Sequence, residues 1–371
     1  MRRLQQFSVD KEQESNLKIL HTADIHLKVH GDERWAAFET VVRMAEEAAV
    51  SAVVISGDLF DRNAAAEALK PKMRDTLRDK KFQVIILPGN HDGRALHSGD
   101  YYGEKVTVFG QPGDHIDIEG VRIIGLPFEK AGKQDVIARI RSIQPHVKAG
   151  ATNILLYHGE LLDTFFDRES YGDEGDYEYM PARLRYFEDI AVDYVLAGHF
   201  HSSFNRYEYN KGFFVYPGSP VSITRRETGR RSVNLFEVGG HPHAVPLDTF
   251  HYDTVKIHLN PADGRDPLEI IKERVAMCHD MADVDLHVSG HVDLDRLGMS
   301  EKEFAEALRL IKLRSSMQIY ADDVKDVGEI LQNDLYKRFI HHMESSALTS
   351  DEREGIRGLV LEAFSQVRHA D

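Results

Sequence analysis

Five short runs of apolar and β-branched residues recur along the first half of the chain, and each is followed at once by polar residues. The runs are Leu17–Leu20, Ala52–Ile55, Val84–Leu87, Ile154–Leu156 and Tyr194–Leu196. Runs of this length and composition are typical of buried strands. Between the first three runs, Arg34–Ala49 and Ala64–Asp79 show the apolar spacing of helices. Alternating strands and helices predict an α/β domain with a largely parallel sheet.

The pattern changes after the fifth run. From Phe204 to Leu247, short apolar runs separated by glycine and proline predict hairpins that complete a second sheet. From Tyr252 onward, strand and helix signals predict a small α+β domain, and amphipathic helices are predicted at Val324–His342 and Thr349–Arg368. The expected organisation is an N-terminal extension over 1–16, a main domain over 17–250, a small domain over 251–322 and C-terminal helices over 323–371.

The composition narrows the class of protein. A chain of 371 residues that is 42% hydrophobic can bury a full core. A run of about 18 apolar residues, the length that crosses a membrane, is absent from the sequence, so no membrane span is expected. The segment Met1–Asn16 is polar and lacks the apolar stretch of a signal peptide. The single cysteine, Cys278, excludes an internal disulfide framework and favours a reducing cytoplasm.

Residues that can bind metals follow each of the five apolar runs. The motifs are Asp24-Ile25-His26, Gly57-Asp58-Leu59-Phe60-Asp61, Gly89-Asn90-His91-Asp92, His158-Gly159 and Gly198-His199-Phe200-His201. Ligands of open α/β sheets bind beyond the carboxyl ends of the strands, so these side chains are expected to converge. With 20 histidines and one cysteine, the chain offers nitrogen and oxygen ligands. Such ligands favour manganese, iron or zinc over iron–sulfur chemistry.

The motifs can be divided into two sets of metal ligands. Two divalent cations about 3.5–4 Å apart need a bridging carboxylate to screen their repulsion. We predict that Asp58 is the bridge, because it ends the second strand, in the middle of the set. The ligands predicted for one ion are Asp24, His26 and His201, and those predicted for the other are Asn90, His158 and His199. Helix caps, turn residues and surface histidines would explain any single motif, but they explain the ordered set poorly.

His91 is the candidate catalytic residue, because it lies next to a predicted ligand and points differently. We expect it to protonate the leaving oxygen or to stabilise charge on a phosphoryl group. Asp92 is predicted to orient His91 through a ring nitrogen. The expected nucleophile is a hydroxide bridging the metals, which attacks phosphorus without a covalent intermediate. A merely structural hydrogen bond from His91 is the alternative.

Charge gives a mixed indication about nucleic acid. The net charge of −15 argues against a protein that coats nucleic acid by bulk electrostatics, but a metal pair can attract phosphate locally. Several arginines near the metal motifs and in a basic segment are candidate phosphate contacts: Arg34, Arg62, Arg94, Arg225, Arg226, Arg230 and Arg231. The alternatives are surface ion pairs for the first three and an exposed hairpin tip around Glu227-Thr228-Gly229 for the other four.

The ordered motifs resemble those of the calcineurin-like metallophosphoesterase superfamily. The fuller segments His21-Thr22-Ala23-Asp24-Ile25-His26-Leu27 and Tyr216-Pro217-Gly218-Ser219 narrow the resemblance to the SbcD-type DNA-repair nucleases, bacterial relatives of the MRN-complex nuclease subunit. The resemblance covers residues 17 to 330 and is only architectural beyond residue 250. The chain departs from many archaeal and eukaryotic relatives in carrying Asp61 where they have a histidine, and in its acidic segment Asp163–Glu178.

The resemblance implies both a fold and a function. The implied fold is a four-layer αββα sandwich with a small α+β capping domain that helps engage DNA. The implied activity is a manganese-dependent exonuclease on duplex ends, with endonuclease activity on single strands, in double-strand-break or end processing. The implied partners are an SbcC-like coiled-coil ATPase, docked on the C-terminal helices, and a second copy of the chain. The implied location is the nucleoid.

Two other functions are compatible with the fold that the sequence predicts. The first is a metallophosphoesterase for small phosphodiesters or nucleotides, which would need neither a capping domain nor docking helices. The second is a catalytically silent scaffold for an ATPase partner, for which eroded ligands are expected. All seven predicted ligands and His91 are present, so the sequence favours the nuclease.

Overall fold

A computed structural model describes residues 17–368 except 94, 98, 131–132, 164–178, 211 and 312–315. The predicted N-terminal extension, Arg94 and all but the first residue of the acidic segment therefore lie outside the described residues. The chain divides into two compact units, of which the first ends at Tyr252 and the second begins at Asp253.

The first unit is built from alternating strands and helices. Its strands are β1 (Lys18–Thr22), β2 (Ala52–Ser56), β3 (Gln83–Leu87), β4 (Val106–Val108), β5 (His115–Ile118), β6 (Val121–Leu126), β7 (Thr152–His158), β8 (Tyr194–Gly198), β9 (Asn205–Tyr209), β10 (Gly212–Tyr216), β11 (Ser232–Glu237) and β12 (His243–Pro246). Its helices are α1 (Glu33–Glu47), α2 (Asn63–Thr76), α3 (Lys133–Arg141) and α4 (Leu184–Glu188). The strands and helices predicted from periodicity are present, with ends shifted by a few residues.

Two six-stranded mixed sheets form the middle of this unit. The first has the order β12-β11-β1-β2-β3-β4, with β1 to β4 parallel to one another and β11 antiparallel to β1. The second has the order β5-β6-β7-β8-β10-β9, with parallel pairing from β6 through β10. The parallel strands of each sheet end at one edge, and that edge carries the predicted ligands.

Each sheet is buried on both faces, which explains why the strands are continuous apolar runs. Ile19 and Val54 of the first sheet share one buried cluster with Leu156 of the second, between the two sheets. The opposite face of the first sheet packs on α1 and α2 through residues such as Phe38, and a separate cluster joins the second sheet to α3 and α4. The four-layer αββα prediction is confirmed.

The second unit is a three-stranded sheet with helices. Its strands are β13 (His251–Leu259), which begins two residues before the division, β14 (Ala282–Val292) and β15 (Met317–Asp326). Its helices are α5 (Pro267–Met277), α6 (Leu294–Leu297), α7 (Glu301–Leu310), α8 (Gly328–Gln332), α9 (Asp334–Glu344) and α10 (Ser350–Arg368). The sheet order is β13-β14-β15. Leu286 of β14, Ile271 of α5 and Phe304 of α7 lie in one buried cluster, so the helices cover one face of the sheet.

The helix predicted over Val324–His342 is wrong at its beginning. Val324, Lys325 and Asp326 continue β15, because they pair in register with the end of β14. The helical part is then divided at Asn333, whose side chain accepts the N–H of Leu335 and caps α9. An apolar spacing that suits a helix face cannot reveal that a neighbouring strand has already paired with its first residues.

A helix must be both long and apolar to cross a membrane. Among the described residues, no helix meets both conditions.

Candidate metal centre

The two sheets bring their carboxyl ends together at one place. Ser56, at the end of β2, donates its hydroxyl to the carbonyl of Leu196 in the second sheet at 2.9 Å. The carbonyl oxygen of Ser56 lies 2.9 Å from Nδ1 of His158, at the end of β7. Ligands that are more than one hundred residues apart in sequence therefore become neighbours.

The backbone at the predicted ligands is strained. Asp24, His26, Asp58 and His199 have positive φ angles of 55°, 50°, 51° and 96°. Non-glycine residues in this region cost about 1–3 kcal/mol each and persist only when the surroundings hold them. Here backbone bonds between loops hold them: the N–H of Asp24 donates to Gly57 at 3.0 Å, and that of His26 donates to Asp58 at 2.9 Å.

One set of ligands forms a compact buried cluster. Asp24, His26, Asp58 and His201 each offer one ligand atom, and these atoms lie within 4.8 Å of one another. The Nε2 atoms of His26 and His201 are 3.3 Å apart. Oδ1 of Asp24 lies 3.9 Å from Nε2 of His201. The structure thus brings together the set predicted for one ion and the predicted bridge.

Residues of the other predicted set also lie near Asp58. Nε2 of His158 is 2.8 Å from Oδ1 of Asn90 and 3.3 Å from Oδ2 of Asp58. The rings of His158 and His199 have centroids 5.5 Å apart. The same Oδ2 atom lies 3.8 Å from Nε2 of His26 in the first set. Asp58 is therefore the carboxylate that faces both sets.

The residues fit divalent cations. Oδ2 of Asp58 is buried and accepts no well-aligned hydrogen bond within the described part of the chain. A buried carboxylate oxygen without such a partner is costly, and a cation satisfies it. Carboxylates, imidazole nitrogens and an amide oxygen together suit manganese, iron or zinc. The residues named above would hold the ions.

The carboxylates and His158 have strongly shifted pKa values. Burial raises the pKa of Asp24 to about 6, against the lowering effect of His201 and His158. Burial also opposes ionisation of Asp58, but the charge and contact of His158 and the charge of His26 hold the pKa of Asp58 well below its usual range. Burial would lower the pKa of His158, yet Asp58 and Asp24 raise it to about 10. Without a cation, protons balance the buried negative charge.

His91 lies beside the first set. Its ring is 4.7 Å from that of His26 in an edge-on arrangement, and its backbone N–H donates to Oδ1 of Asp58 at 2.8 Å. Nδ1 of His91 lies 3.2 Å from the carbonyl oxygen of Asp61. The half-buried ring is therefore held next to the predicted metal ligands by the loop that follows β2.

Asp92 joins two of the loops that carry the predicted ligands. Its buried carboxylate accepts the backbone N–H groups of Gly89 at 2.8 Å, Phe60 at 2.9 Å and Leu59 at 3.3 Å. Asp92 thus joins the loops after β2 and β3, and its orientation of the His91 ring through a nitrogen stays a prediction. Burial and the charge of Asp58 raise the pKa of Asp92 to about 7, against these N–H groups.

The Tyr-Pro-Gly-Ser motif supports the backbone of the ligands. The Tyr216 hydroxyl donates to the carbonyl of Gly159 at 2.6 Å, next to His158. The Ser219 hydroxyl donates to the carbonyl of Asp24 at 2.7 Å. The motif carried the sequence resemblance without a physical reason, and the structure supplies one.

Two of the arginines predicted to contact phosphate, Arg231 and Arg34, instead bind backbone carbonyl oxygens of the site. Arg231 is buried and donates to the carbonyl oxygens of His201, Ser202 and Ser219, so it cannot reach phosphate as predicted. Arg34 donates to the His26 carbonyl at 2.8 Å and to Asp61 at 2.9 Å.

The remaining arginines of the predicted set that the structure describes are exposed. Arg230 is already bound to the Asp248 carboxylate and to the Leu247 carbonyl. Arg225 lies over the ring of Tyr252 at 5.0 Å. Because Arg62, Arg225 and Arg226 are exposed, they stay candidate phosphate contacts.

Glu227 is a residue of the site that the sequence analysis missed. The alternative of an exposed hairpin tip around Glu227-Thr228-Gly229 is wrong at Glu227, which is fully buried. Its Oε1 lies 3.3 Å from Nδ1 of His201. Burial would raise the pKa of Glu227, but His201, the N–H of Ile223 and Arg231 together hold it below its usual value. The one sequence feature that could have indicated its burial is that it is the single acidic residue in an arginine-rich segment.

The chain is similar to known proteins over the region that contains these motifs. A family model described as calcineurin-like phosphoesterase matches residues 17–203. The DNA double-strand break repair protein Mre11 of Methanosarcina mazei is 25% identical over 258 residues, or 65% of this chain and 40% of that protein. The protein of the same name from Methanosarcina acetivorans is 40% identical over 88 residues, or 21% and 14%. That of Archaeoglobus fulgidus is 22% identical over 397 positions, or 91% and 87%. The chain spans less than half the length of the first two relatives.

Gly57→Ala should disrupt the site by displacing His158. A Cβ atom at Gly57 would lie 1.9 Å from Nδ1 of His158, at a φ of 99°. We expect the free energy of unfolding, measured with urea, to fall by about 1–3 kcal/mol more than in the control because of this overlap. The control is Gly120→Ala, which has a φ of 83° and open space around the new methyl. Equal losses in the two variants would contradict the close approach of Gly57 to His158.

Manganese affinity should fall as the pH is lowered from about 8 to about 6. Asp24, with a pKa of about 6, becomes half protonated over this range, and His158, with a pKa of about 10, must lose a proton at any of these pH values. Cation and protons therefore compete for the same atoms. Calorimetry in buffers of different ionisation enthalpy should show proton release on binding. Constant affinity without proton release would contradict the ligand assignment.

Proposed function

The chain belongs to the calcineurin-like phosphoesterase family, and from this premise we propose that it is a metal-dependent nuclease that hydrolyses phosphodiester bonds of DNA. The observation that carries the proposal is the buried Asp58 carboxylate, whose Oδ2 atom lies 3.8 Å from Nε2 of His26 in one ligand set and 3.3 Å from Nε2 of His158 in the other. When bound, divalent ions would supply an activated water and neutralise charge on phosphate.

The residues of the chain supply positioning and proton transfer. Asp24, His26 and His201 would hold one ion, and Asn90, His158 and His199 would hold the other, with Asp58 shared. The Nδ1 atom of His91 lies 3.2 Å from the carbonyl oxygen of Asp61, and its ring lies 4.7 Å from that of His26, so the ring is placed beside the proposed ligands. His91 would then protonate the leaving oxygen or stabilise charge on the phosphoryl group.

The proposed substrate rests on the relatives and on the exposed arginines. The relatives compared above are named as DNA double-strand break repair proteins. We further propose that manganese is the native ion and that the protein acts as an exonuclease on duplex ends and as an endonuclease on single strands. The proposal also includes a homodimer in the nucleoid, a capping role for residues 251–322 and an SbcC-like ATPase that docks on the C-terminal helices of 323–371.

Digestion of end-labelled linear duplex DNA in manganese tests the nuclease activity directly. We expect the purified protein to shorten the duplex, and Asp58→Asn and His91→Ala to lose at least about one hundredfold in rate, because each removes a group at the reacting centre. His243→Ala, a change of an exposed histidine on β12, is the matched control and should retain full activity. Bis-p-nitrophenyl phosphate is assayed in parallel.

The pattern of the two substrates separates the alternatives. Cleavage of the small diester with intact DNA, even when an SbcC-like ATPase is added, would contradict the DNA proposal and favour a small-substrate phosphoesterase. Inactivity on both substrates with manganese bound would favour the scaffold.

Arg225 and Arg226 provide a separate test of DNA binding. Each phosphate contact that is lost should reduce the slope of log affinity against log salt by about 0.9. We therefore expect Arg225→Ala with Arg226→Ala to weaken duplex binding and flatten this slope, as measured by fluorescence anisotropy with calcium in place of manganese. Arg141→Ala, on the exposed surface of α3, should change neither value. An unchanged slope in the double variant would remove these arginines from the interface.

A further inference from the structure

Glu227 makes a buried polar contact with a predicted metal ligand. Its side chain is fully buried, and Oε1 lies 3.3 Å from Nδ1 of His201. The other oxygen, Oε2, accepts the backbone N–H of Ile223 at 2.8 Å. Glu227 lies twenty-six residues after His201 in the chain, so this contact is made by tertiary folding.

The contact determines which nitrogen of His201 carries the proton. Nε2 of His201 faces the ligand cluster, 3.3 Å from Nε2 of His26, while Nδ1 faces Glu227. An ionised carboxylate can only accept hydrogen bonds, so the proton of a neutral ring is placed on Nδ1 and the lone pair on Nε2. We propose that Glu227 is a positioning residue that fixes the ring and the tautomer of His201 for cation binding. This inference rests on the proposed metal centre.

The neighbourhood of Glu227 keeps the carboxylate in place. The hydroxyl of Thr224 lies 3.3 Å from Oε1, and the hydroxyl of Ser222 donates to the carbonyl of Glu227 at 2.5 Å. Arg231, which is also buried, binds the carbonyl oxygen of His201. One segment therefore holds both the ring and the backbone of His201, and the positive charge of Arg231 offsets the buried charge of Glu227.

The two ligand sets differ in what supports their histidines. Nδ1 of His158 faces a backbone carbonyl, that of Ser56, at 2.9 Å. Nδ1 of His201 faces a charged carboxylate instead. A carboxylate partner raises the basicity of a ligating imidazole, and removal of such a partner typically weakens metal affinity 10- to 100-fold. The effect of changing Glu227 should therefore fall on one ion and spare the other.

Glu227→Gln tests this asymmetry with little change of size. Glutamine has one acceptor oxygen, whereas Glu227 uses one oxygen for His201 and the other for Ile223. Either the Ile223 contact is lost, or an amide N–H faces Nδ1 and pushes the ring proton onto Nε2. We expect calorimetric titration with Mn²⁺ to show one of two sites weakened about 10- to 100-fold and the other within about twofold of the original.

The matched control is Glu237→Gln, the same change at an exposed position at the end of β11. It should leave both affinities unchanged. Circular dichroism and melting temperature establish that the Glu227 variant is folded. Unchanged affinity at both sites, or equal weakening at both, would overturn the positioning role.

A measurement on the unmodified protein avoids dependence on the variant. Nitrogen-15 spectra of histidine in the zinc-loaded protein should show His201 protonated on Nδ1, and a proton on Nε2 would overturn the proposal. Neither readout uses DNA cleavage. If the protein binds two ions but cleaves no phosphodiester, the proposed function fails while the role of Glu227 is still decided by affinity and tautomer.

Discussion

The burial of one carboxylate, that of Asp58, imposes the constraint on which the rest of the site depends. Asp58 is fully buried, and its Oδ2 atom lies 3.8 Å from Nε2 of His26 and 3.3 Å from Nε2 of His158. An uncompensated buried charge costs several kcal/mol, so positive charge must come from protons or from cations. The surrounding histidines, the N–H of His91 and the raised pKa of His158 are all responses to that requirement.

Rigid surroundings keep these groups in place despite their strained backbone. Left-handed φ angles at Asp24 and Asp58 would relax in a free loop, but strand-like bonds join the loop after β1 to the loop after β2, as at Leu27 and Phe60. Asp92 adds a third loop through its three N–H contacts. The apolar layers beneath provide the free energy that offsets this strain, since each buried side chain of Leu or Ile contributes about 1.5–3 kcal/mol.

The sheets and the ligands were predictable because both leave local marks. Buried strands appear as apolar runs, and the ligands follow the runs at their carboxyl ends, so the convergence of Asp24, Asp58 and His158 could be inferred. The burial of Glu227 and Arg231 could not be inferred in this way. It depends on a return of the chain to His201, which leaves no local sequence pattern. The beginning of the helix predicted at Val324 was wrong for the same reason: a strand partner far away in sequence decides its conformation.

Anomalous diffraction from crystals grown with manganese would show whether two cations share Asp58. We expect two anomalous peaks about 3.5–4 Å apart, both next to the Asp58 carboxylate. One peak should lie among Asp24, His26 and His201, and the other among Asn90, His158 and His199. A single peak, or two peaks that do not share Asp58, would contradict this expectation.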